Sequence, residues 1–122
     1  MKDKIESFFE RTAGKVVEYL DVGSKIIVSA GEKHYTLEVS EKGKIKVHEG
    51  RADGDLEIIG EESVINDLFS STTMEEYIDK MCNYVVQGRK PKLKIHMERN
   101  AESIKRFMRT YYMPLLKMYI IR

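Results

Sequence analysis

Residues 52–69 contain the pattern that most constrains the fold, a strand that ends in glycine and turns directly into a helix. Apolar side chains alternate up to Gly60, and from Val64 to Phe69 they recur at helical spacing. After a second helix, residues 92–97 alternate again as a lone strand. A sheet that receives its last strand after two helices keeps those helices on one face, and such a layout can enclose a cavity of lipid size.

The first half of the chain predicts one helix and a series of strands. Apolar residues recur at helical spacing over 4–20, where Asp3 and Glu6 form a capping box. Alternation predicts strands over 25–30, 34–39, 44–49 and 55–59. The second and third of these have polar side chains on one side, which is typical of an antiparallel sheet with one solvated face.

Three helices complete the prediction, one before and one after the loop at residues 70–72 and one at the C-terminus. The first covers 61–69, the second begins after the cap residue Thr73 and ends at Gly88, and the third begins after Asn100. We therefore predict one α+β domain over residues 1–122, in the order α-β-β-β-β-α-α-β-α. Its five-stranded, mostly antiparallel sheet has helices on one face.

Composition favours a cytoplasmic protein. The single cysteine cannot form an internal disulfide, and the acidic N-terminus does not resemble a signal peptide. The longest apolar stretch, residues 113–121, is interrupted by Lys117 and is about half the length that a membrane span needs.

Charge is distributed unevenly along the chain. Residues 1–88 carry 11 Lys/Arg and 18 Asp/Glu, a net charge of −7. Residues 89–122 carry 10 Lys/Arg and 2 Asp/Glu, a net charge of +8. The basic half could meet an anionic ligand or an anionic membrane surface, or the two halves could neutralise each other in the folded protein. No nucleic-acid-binding motif is present, so nucleic acid is not a predicted partner.

Two segments resemble the sterol carrier protein type-two family, the small lipid-transfer domain. Residues 52–60, Ala-Asp-Gly-Asp-Leu-Glu-Ile-Ile-Gly, and the helix at 64–69 are similar to its fourth strand and following helix. Gly88-Arg89 and the later Lys92-Leu93-Lys94-Ile95 are similar to its fifth strand. The resemblance implies a five-stranded sheet, helices over one face, and an apolar tunnel for a fatty acyl or sterol-like molecule.

Two apolar segments rich in methionine, residues 74–85 and 104–118, are candidates for lining such a site. Methionine suits this role because it adapts to varied apolar ligands. The alternative is that both are ordinary core. The predicted ligand-binding residues are Phe69, Ile78, Met81, Cys82, Val85, Ile104, Phe107, Met108, Tyr111 and Leu115. The predicted headgroup-binding residues are Arg99, Lys105 and Arg109, with an ordinary solvated face as the alternative.

Other reactive side chains do not form a recognisable catalytic or metal motif. His34, His48 and His96 lie on three strands without a ligand spacing that indicates a metal. Cys82 lies in an apolar stripe, so we expect a small buried side chain rather than a nucleophile. No catalytic residue, metal or cofactor is predicted. The sequence favours non-enzymatic binding of an apolar lipid, and the alternative is a ligand-free interaction or homodimer module that uses the C-terminal apolar segment.

Overall fold

The computed structural model describes residues 1–12, 22–41, 44–85 and 92–97. Its helices are α1 (Lys2–Thr12), α2 (Glu62–Leu68) and α3 (Met74–Val85). Its strands are β1 (Lys25–Ala30), β2 (Lys33–Glu41), β3 (Lys44–Glu49), β4 (Leu56–Gly60) and β5 (Leu93–Met97). These elements follow the predicted order. The predicted final helix lies outside the described residues.

The strands form one sheet in the order β3-β2-β1-β4-β5. β1 is antiparallel to β2 and parallel to β4, while the β2–β3 and β4–β5 pairs are antiparallel. The predicted five-stranded, mostly antiparallel sheet is confirmed, and the parallel pair makes it mixed. β5 pairs with β4 along its length, with Met97 opposite Leu56 and Leu93 opposite Gly60. The lone strand predicted near residues 92–97 therefore belongs to the same sheet as the others.

The three helices pack on one side of the sheet, which we call the helix face. Alternation along each strand decides which side chains reach this face. The buried core includes Val28, Leu37, Val47, Ile58 and Leu93 from the strands, and Ile5, Phe8, Ile65, Leu68 and Phe69 from the helices. Burying an apolar side chain of this size stabilises the fold by roughly 1.5–3 kcal/mol. The hydrophobic pattern of the sequence thus accounts for the packing of helices on sheet.

The opposite side, which we call the open face, is crossed by residues 50–55 between β3 and β4. Both strands run parallel to β1, so the connection must return along the sheet to the start of β4. There the backbone N–H of Asp55 donates to the Lys25 carbonyl oxygen at 2.9 Å. A Cβ atom on Gly54 would lie 2.9 Å from Ile27 Cγ1 and 3.1 Å from the Lys25 oxygen. Glycine is therefore required for this close approach.

The predicted start of α1 needs correction, and the predicted start of α3 is confirmed. α1 begins at Lys2, so Asp3 lies in its first turn rather than at the cap, and its predicted continuation to residue 20 lies outside the described residues. Thr73 does cap α3, because Glu76 N–H donates to Thr73 Oγ1 at 3.1 Å. The sequence Thr73 to Glu76 also fits a reciprocal capping box, but the Glu76 carboxylate accepts from the N–H and hydroxyl groups of Thr72 instead of the Thr73 N–H. In the described part of the chain, no helix is long and apolar enough to cross a bilayer.

Candidate functional site

α3 contributes four of the predicted ligand-binding side chains, and the structure places them in different environments. Ile78 is buried, and Met81 is half-buried against the core. Val85 is 37% exposed, and Cys82 is also exposed. The expected burial of Cys82 is therefore wrong. Each helical residue is rotated by about 100° from the one before, so Cys82 lies well to the side of the line through Met74, Ile78 and Met81 that meets the core.

Val85 and Ile95 are apolar side chains that the described helices leave partly exposed. Val85 continues the core-facing line of α3 into its last turn, but it is 37% exposed. Ile95 pairs with the buried Ile58 and so shares the helix face, yet it is 44% exposed. α3 contacts β5, which brings both residues to the same side of the molecule. We call Met81, Val85 and Ile95 the apolar strip.

Phe69, which follows α2, lies in a cluster of aromatic rings and is fully buried. Its ring centre is 5.4 Å from that of Phe8 and 5.5 Å from that of Tyr77, and Phe9 also joins the cluster. Burial raises the pKa of the Tyr77 hydroxyl. Edge-to-face and tilted rings at these distances add to the stabilisation from apolar burial. Phe69 is therefore part of the packed core, and its contact with a ligand stays a prediction.

A polar contact joins α2 to α3 on the outside of this cluster. The Tyr84 hydroxyl donates to Asp67 Oδ2 at 2.6 Å, and Lys80 Nζ donates to Asp67 Oδ1 at 3.1 Å. The Tyr84 hydrogen bond, followed by that of Lys80, lowers the pKa of Asp67. The same hydrogen bond raises the pKa of Tyr84. This contact links α2 to the C-terminal half of α3, the half that carries Met81 and Val85.

A buried carboxylate on the open face is absent from the sequence prediction. Glu57 is only 7% exposed. Ser29 Oγ donates to Glu57 Oε2 at 2.6 Å, and the Arg51 guanidinium donates to Glu57 Oε1. Ser29 also lies 2.7 Å from His34 Nδ1. Because the Ser29 proton is directed to Glu57, His34 Nδ1 supplies the hydrogen of that second bond. The sequence gives one indication of this buried site, a charged residue, Glu57, between apolar neighbours in a strand. That indication does not identify the partners of Glu57, because they lie outside its own strand.

Serine, histidine and glutamate together are the side chains of many hydrolase sites, but this arrangement does not suit nucleophilic catalysis. Ser29 is 2% exposed, so a substrate has no access to its hydroxyl. The carboxylate contacts the serine, whereas a catalytic triad needs it to orient the histidine. Elsewhere, His48 Nε2 lies 3.4 Å from Glu38 Oε1. Among the residues that the structure describes, no group of His, Cys, Asp or Glu is arranged to hold a metal ion.

A half-open groove of about 730 Å³ lies between α1 and β3. Its walls combine the apolar Phe9 and Ile45 with the charged Lys2, Glu6 and Lys44. Lys2 and Glu6 form an ion pair at 3.7 Å. This groove lies on the β3 side of the sheet, away from α3 and β5, and its mixed charge does not suit an apolar chain. It is therefore not the predicted ligand site.

The remaining predicted site residues lie outside the described ranges. They are the ligand-binding residues Ile104, Phe107, Met108, Tyr111 and Leu115, and the headgroup-binding residues Arg99, Lys105 and Arg109. Their roles stay predictions.

A solved structure described as a UbiJ-SCP2 ubiquinone synthesis protein is similar to this chain, with a TM-score of 0.53 and 15% sequence identity. The similarity covers 94% of this chain and 88% of that one. At this identity it concerns the fold, which is of the SCP2 type, as the sequence resemblance implies. No family model and no curated protein matches the chain.

Proposed function

We propose that this protein binds an apolar lipid, such as a fatty acyl or isoprenoid chain, between its sheet and its last two helices, without transforming it. The observation that carries the proposal is the apolar strip of Met81, Val85 and Ile95. Its members continue the line of buried core residues but are covered incompletely by the described helices. Apolar surface that adjoins a core is a common place for an apolar ligand to bind.

The SCP2-type fold supports the same ligand class. The similar solved structure is described as a ubiquinone synthesis protein. Ubiquinone carries a long isoprenoid tail, so we give isoprenoid chains priority over sterols among the ligands to test. Whether the protein also transfers its ligand between membranes is a further part of the proposal, and binding is the step that must be established first.

In the proposed site, α3 supplies one wall, and segment 104–118, which lies outside the described residues, would supply the other. Ile78 and Met81 would contact the chain, Val85 and Cys82 would lie near the rim, and Phe69 would close the inner end. The predicted second wall comprises Ile104, Phe107, Met108, Tyr111 and Leu115. Arg99, Lys105 and Arg109 would meet an anionic headgroup or an anionic membrane surface.

The expected affinity follows from the buried chain length. Burying about ten methylene groups contributes roughly 8 kcal/mol, at ~0.8 kcal/mol for each group. Loss of translational and rotational freedom and ordering of the chain offset several kcal/mol of this gain. We therefore expect a dissociation constant in the micromolar range for a ligand without strong headgroup contacts.

The test is a thermal-unfolding titration with geranylgeraniol and with palmitate. A ligand that binds only the folded protein raises the melting temperature by mass action. We expect Ile95→Glu to need at least ten times more ligand for the same rise in melting temperature, because it places a charge in the apolar strip. Ile59→Glu is the matched control, since Ile59 is similarly exposed, at 37%, but lies on the open face next to β5. Unchanged melting of the wild-type protein at saturating ligand, or equal loss in both variants, would contradict the proposal.

The alternative function is protein association through the same apolar strip together with residues 113–121. A chain truncated after Tyr112 separates the two possibilities. If residues 113–121 cover the ligand within their own subunit, truncation abolishes lipid binding and leaves the sheet intact. If the truncated protein binds lipid normally but changes from dimer to monomer in sedimentation, the association function is correct.

A further inference from the structure

The outer edge of the sheet at β3 presents backbone groups that lack partners in the described part of the structure. β3 is the first strand of the sheet and pairs there with β2 alone. The Gly50 N–H donates to the His34 carbonyl oxygen at 2.8 Å, so the even-numbered residues of β3 form hydrogen bonds with β2. The odd-numbered residues direct their N–H and C=O groups away from β2. Ile45, Val47 and Glu49 therefore offer a row of donors and acceptors to a further strand.

A groove lies beside this edge, between α1 and β3. It has a volume of about 730 Å³, within the range of about 300–1,000 Å³ that is common for ligand sites. Ile45, Lys46 and Val47 of the edge line it together with Phe9 of α1. Phe9 and Ile45 are only partly buried, so they supply an apolar wall. Because alternate side chains of a strand point to opposite faces, every second side chain of an added strand would enter this groove.

The open-face side of the same edge is basic. Lys44, Lys46 and His48 are exposed and alternate with the residues that face α1. Lys44 forms an ion pair with Glu41 at 3.6 Å. Glu38 is opposite Lys46 in the register, but its carboxylate lies 3.4 Å from His48 Nε2 and makes no ion pair with Lys46. Within the described ranges Lys46 thus has no ion pair, and a carboxylate on an added strand could supply one.

We propose that the β3 edge binds an extended segment of a partner protein in which acidic and apolar residues alternate. Such a segment would extend the sheet by one strand, with main-chain hydrogen bonds to Ile45 and Val47. Its apolar side chains would enter the groove against Phe9, and its carboxylates would lie beside Lys44 and Lys46. The inference goes beyond lipid binding, because the groove is on the β3 side of the sheet, away from α3 and β5.

The existing neighbour of β3 has the same alternation. In β2, Leu37 and Val39 are buried on the helix face, and Glu38 between them lies on the open face. A second copy of β3 would fit less well, because antiparallel pairing centred on Lys46 or on Val47 brings Lys46 against a basic residue of the other copy. The charge of the edge therefore favours an acidic partner over self-association.

The experiment measures binding of the fluorescein-labelled peptide Ser-Glu-Val-Glu-Val-Glu-Val-Ser to the full-length protein by fluorescence anisotropy. We expect Lys46→Glu to weaken binding by about fivefold to tenfold, because repulsion replaces attraction. Lys94→Glu is the matched control and should leave the affinity unchanged. Lys94 is also exposed on the open face, but it belongs to β5 at the far end of the sheet order. A peptide with lysine in place of each glutamate should bind Lys46→Glu more tightly than wild type.

Amide hydrogen exchange, followed by NMR, separates strand addition from simple charge attraction. The Ile45, Val47 and Glu49 amides should exchange fast in the free protein and slowly with the peptide bound. The Lys46 and His48 amides should exchange slowly in both states, because they already donate to β2.

Three results would overturn the proposal: no binding of the acidic peptide at millimolar concentration, equal losses in the two lysine variants, or protection that does not alternate along β3. Palmitate should raise the melting temperature of Lys46→Glu as it does that of the wild type. Failure of the peptide experiment would therefore leave the lipid-binding proposal standing.

Discussion

The two faces of the sheet are stabilised by different kinds of interaction although the same strands supply both. On the helix face, apolar side chains pack against α1, α2 and α3. On the open face, a few polar contacts hold residues 50–55 across the strands. Thr36 Oγ1 donates to the Gly50 carbonyl oxygen at 2.9 Å and accepts from the Ala52 N–H at 3.1 Å, while Arg51 pairs with Glu57. The helix face therefore depends on buried area, and the open face depends on particular partners.

The largest expected effect is on the helix face. Phe8→Ala removes a fully buried ring that contacts Phe69 and Tyr77. We expect the free energy of unfolding to fall by about 3–5 kcal/mol, measured by urea denaturation. Phe9→Ala is the control, because Phe9 is only partly buried and should cost less. Equal losses in the two variants would show that the aromatic cluster is not packed as described.

A smaller effect is expected on the open face. Ser29→Ala removes the hydroxyl that donates to the buried carboxylate of Glu57. We expect a loss of about 1–3 kcal/mol in the free energy of unfolding, because the carboxylate stays buried with one donor fewer. Ser7→Ala, at an exposed position of α1, is the control for the substitution itself. If the two variants were equally stable, the open face would not depend on its polar partners.

The smallest effect is expected at the contact between α2 and α3, which is polar but largely exposed. Asp67 has its pKa lowered below the ordinary value of 3.8, chiefly by Tyr84. A carboxyl with a lowered pKa in the folded state stabilises the protein above its unfolded-state pKa and loses this contribution as pH falls through the folded-state pKa. Asp67→Asn should therefore reduce the free energy of unfolding by about 0.5 kcal/mol near pH 7.

The difference between wild type and Asp67→Asn should disappear as the pH is lowered from about 4 towards 2 in a series of urea denaturations. Tyr84→Phe is the companion variant, since it removes the strongest cause of the pKa shift and leaves the carboxyl in place. A difference that stayed constant over this range would mean that the Asp67 charge does not contribute to the contact.

Local patterns predicted the elements of the fold well, and long-range pairing accounts for the differences. Alternation over 25–30 and 44–49 and the capped helix after Thr73 agree with the structure, because these patterns depend on near neighbours. The sequence pattern did not predict that β1 pairs in parallel with β4. Alternation indicates which face a residue occupies but not which strand lies beside it.

Prediction of the site was limited by the same distinction. The stripe in α3 identified Ile78 and Met81 as inward-facing, but it was drawn too wide, because Cys82 lies to the side of the line that meets the core and is exposed. The burial of Glu57 depends on Arg51, which lies in the connection that crosses the open face. No local sequence pattern predicts that this connection lies over Glu57.

The crossing of the open face by residues 50–55 has a consequence for the rate and order of folding. The β1–β2–β3 meander is built from contacts that are close in sequence, but β4 meets β1 through residues 30 positions apart, such as Lys25 and Asp55. Contacts that close long loops form slowly, because chain entropy is lost before they stabilise the structure. We expect the meander to form first and β4 to join it only after Gly54 has passed over Ile27. The parallel pair, and with it the docking of α2 and β5, therefore forms late in folding.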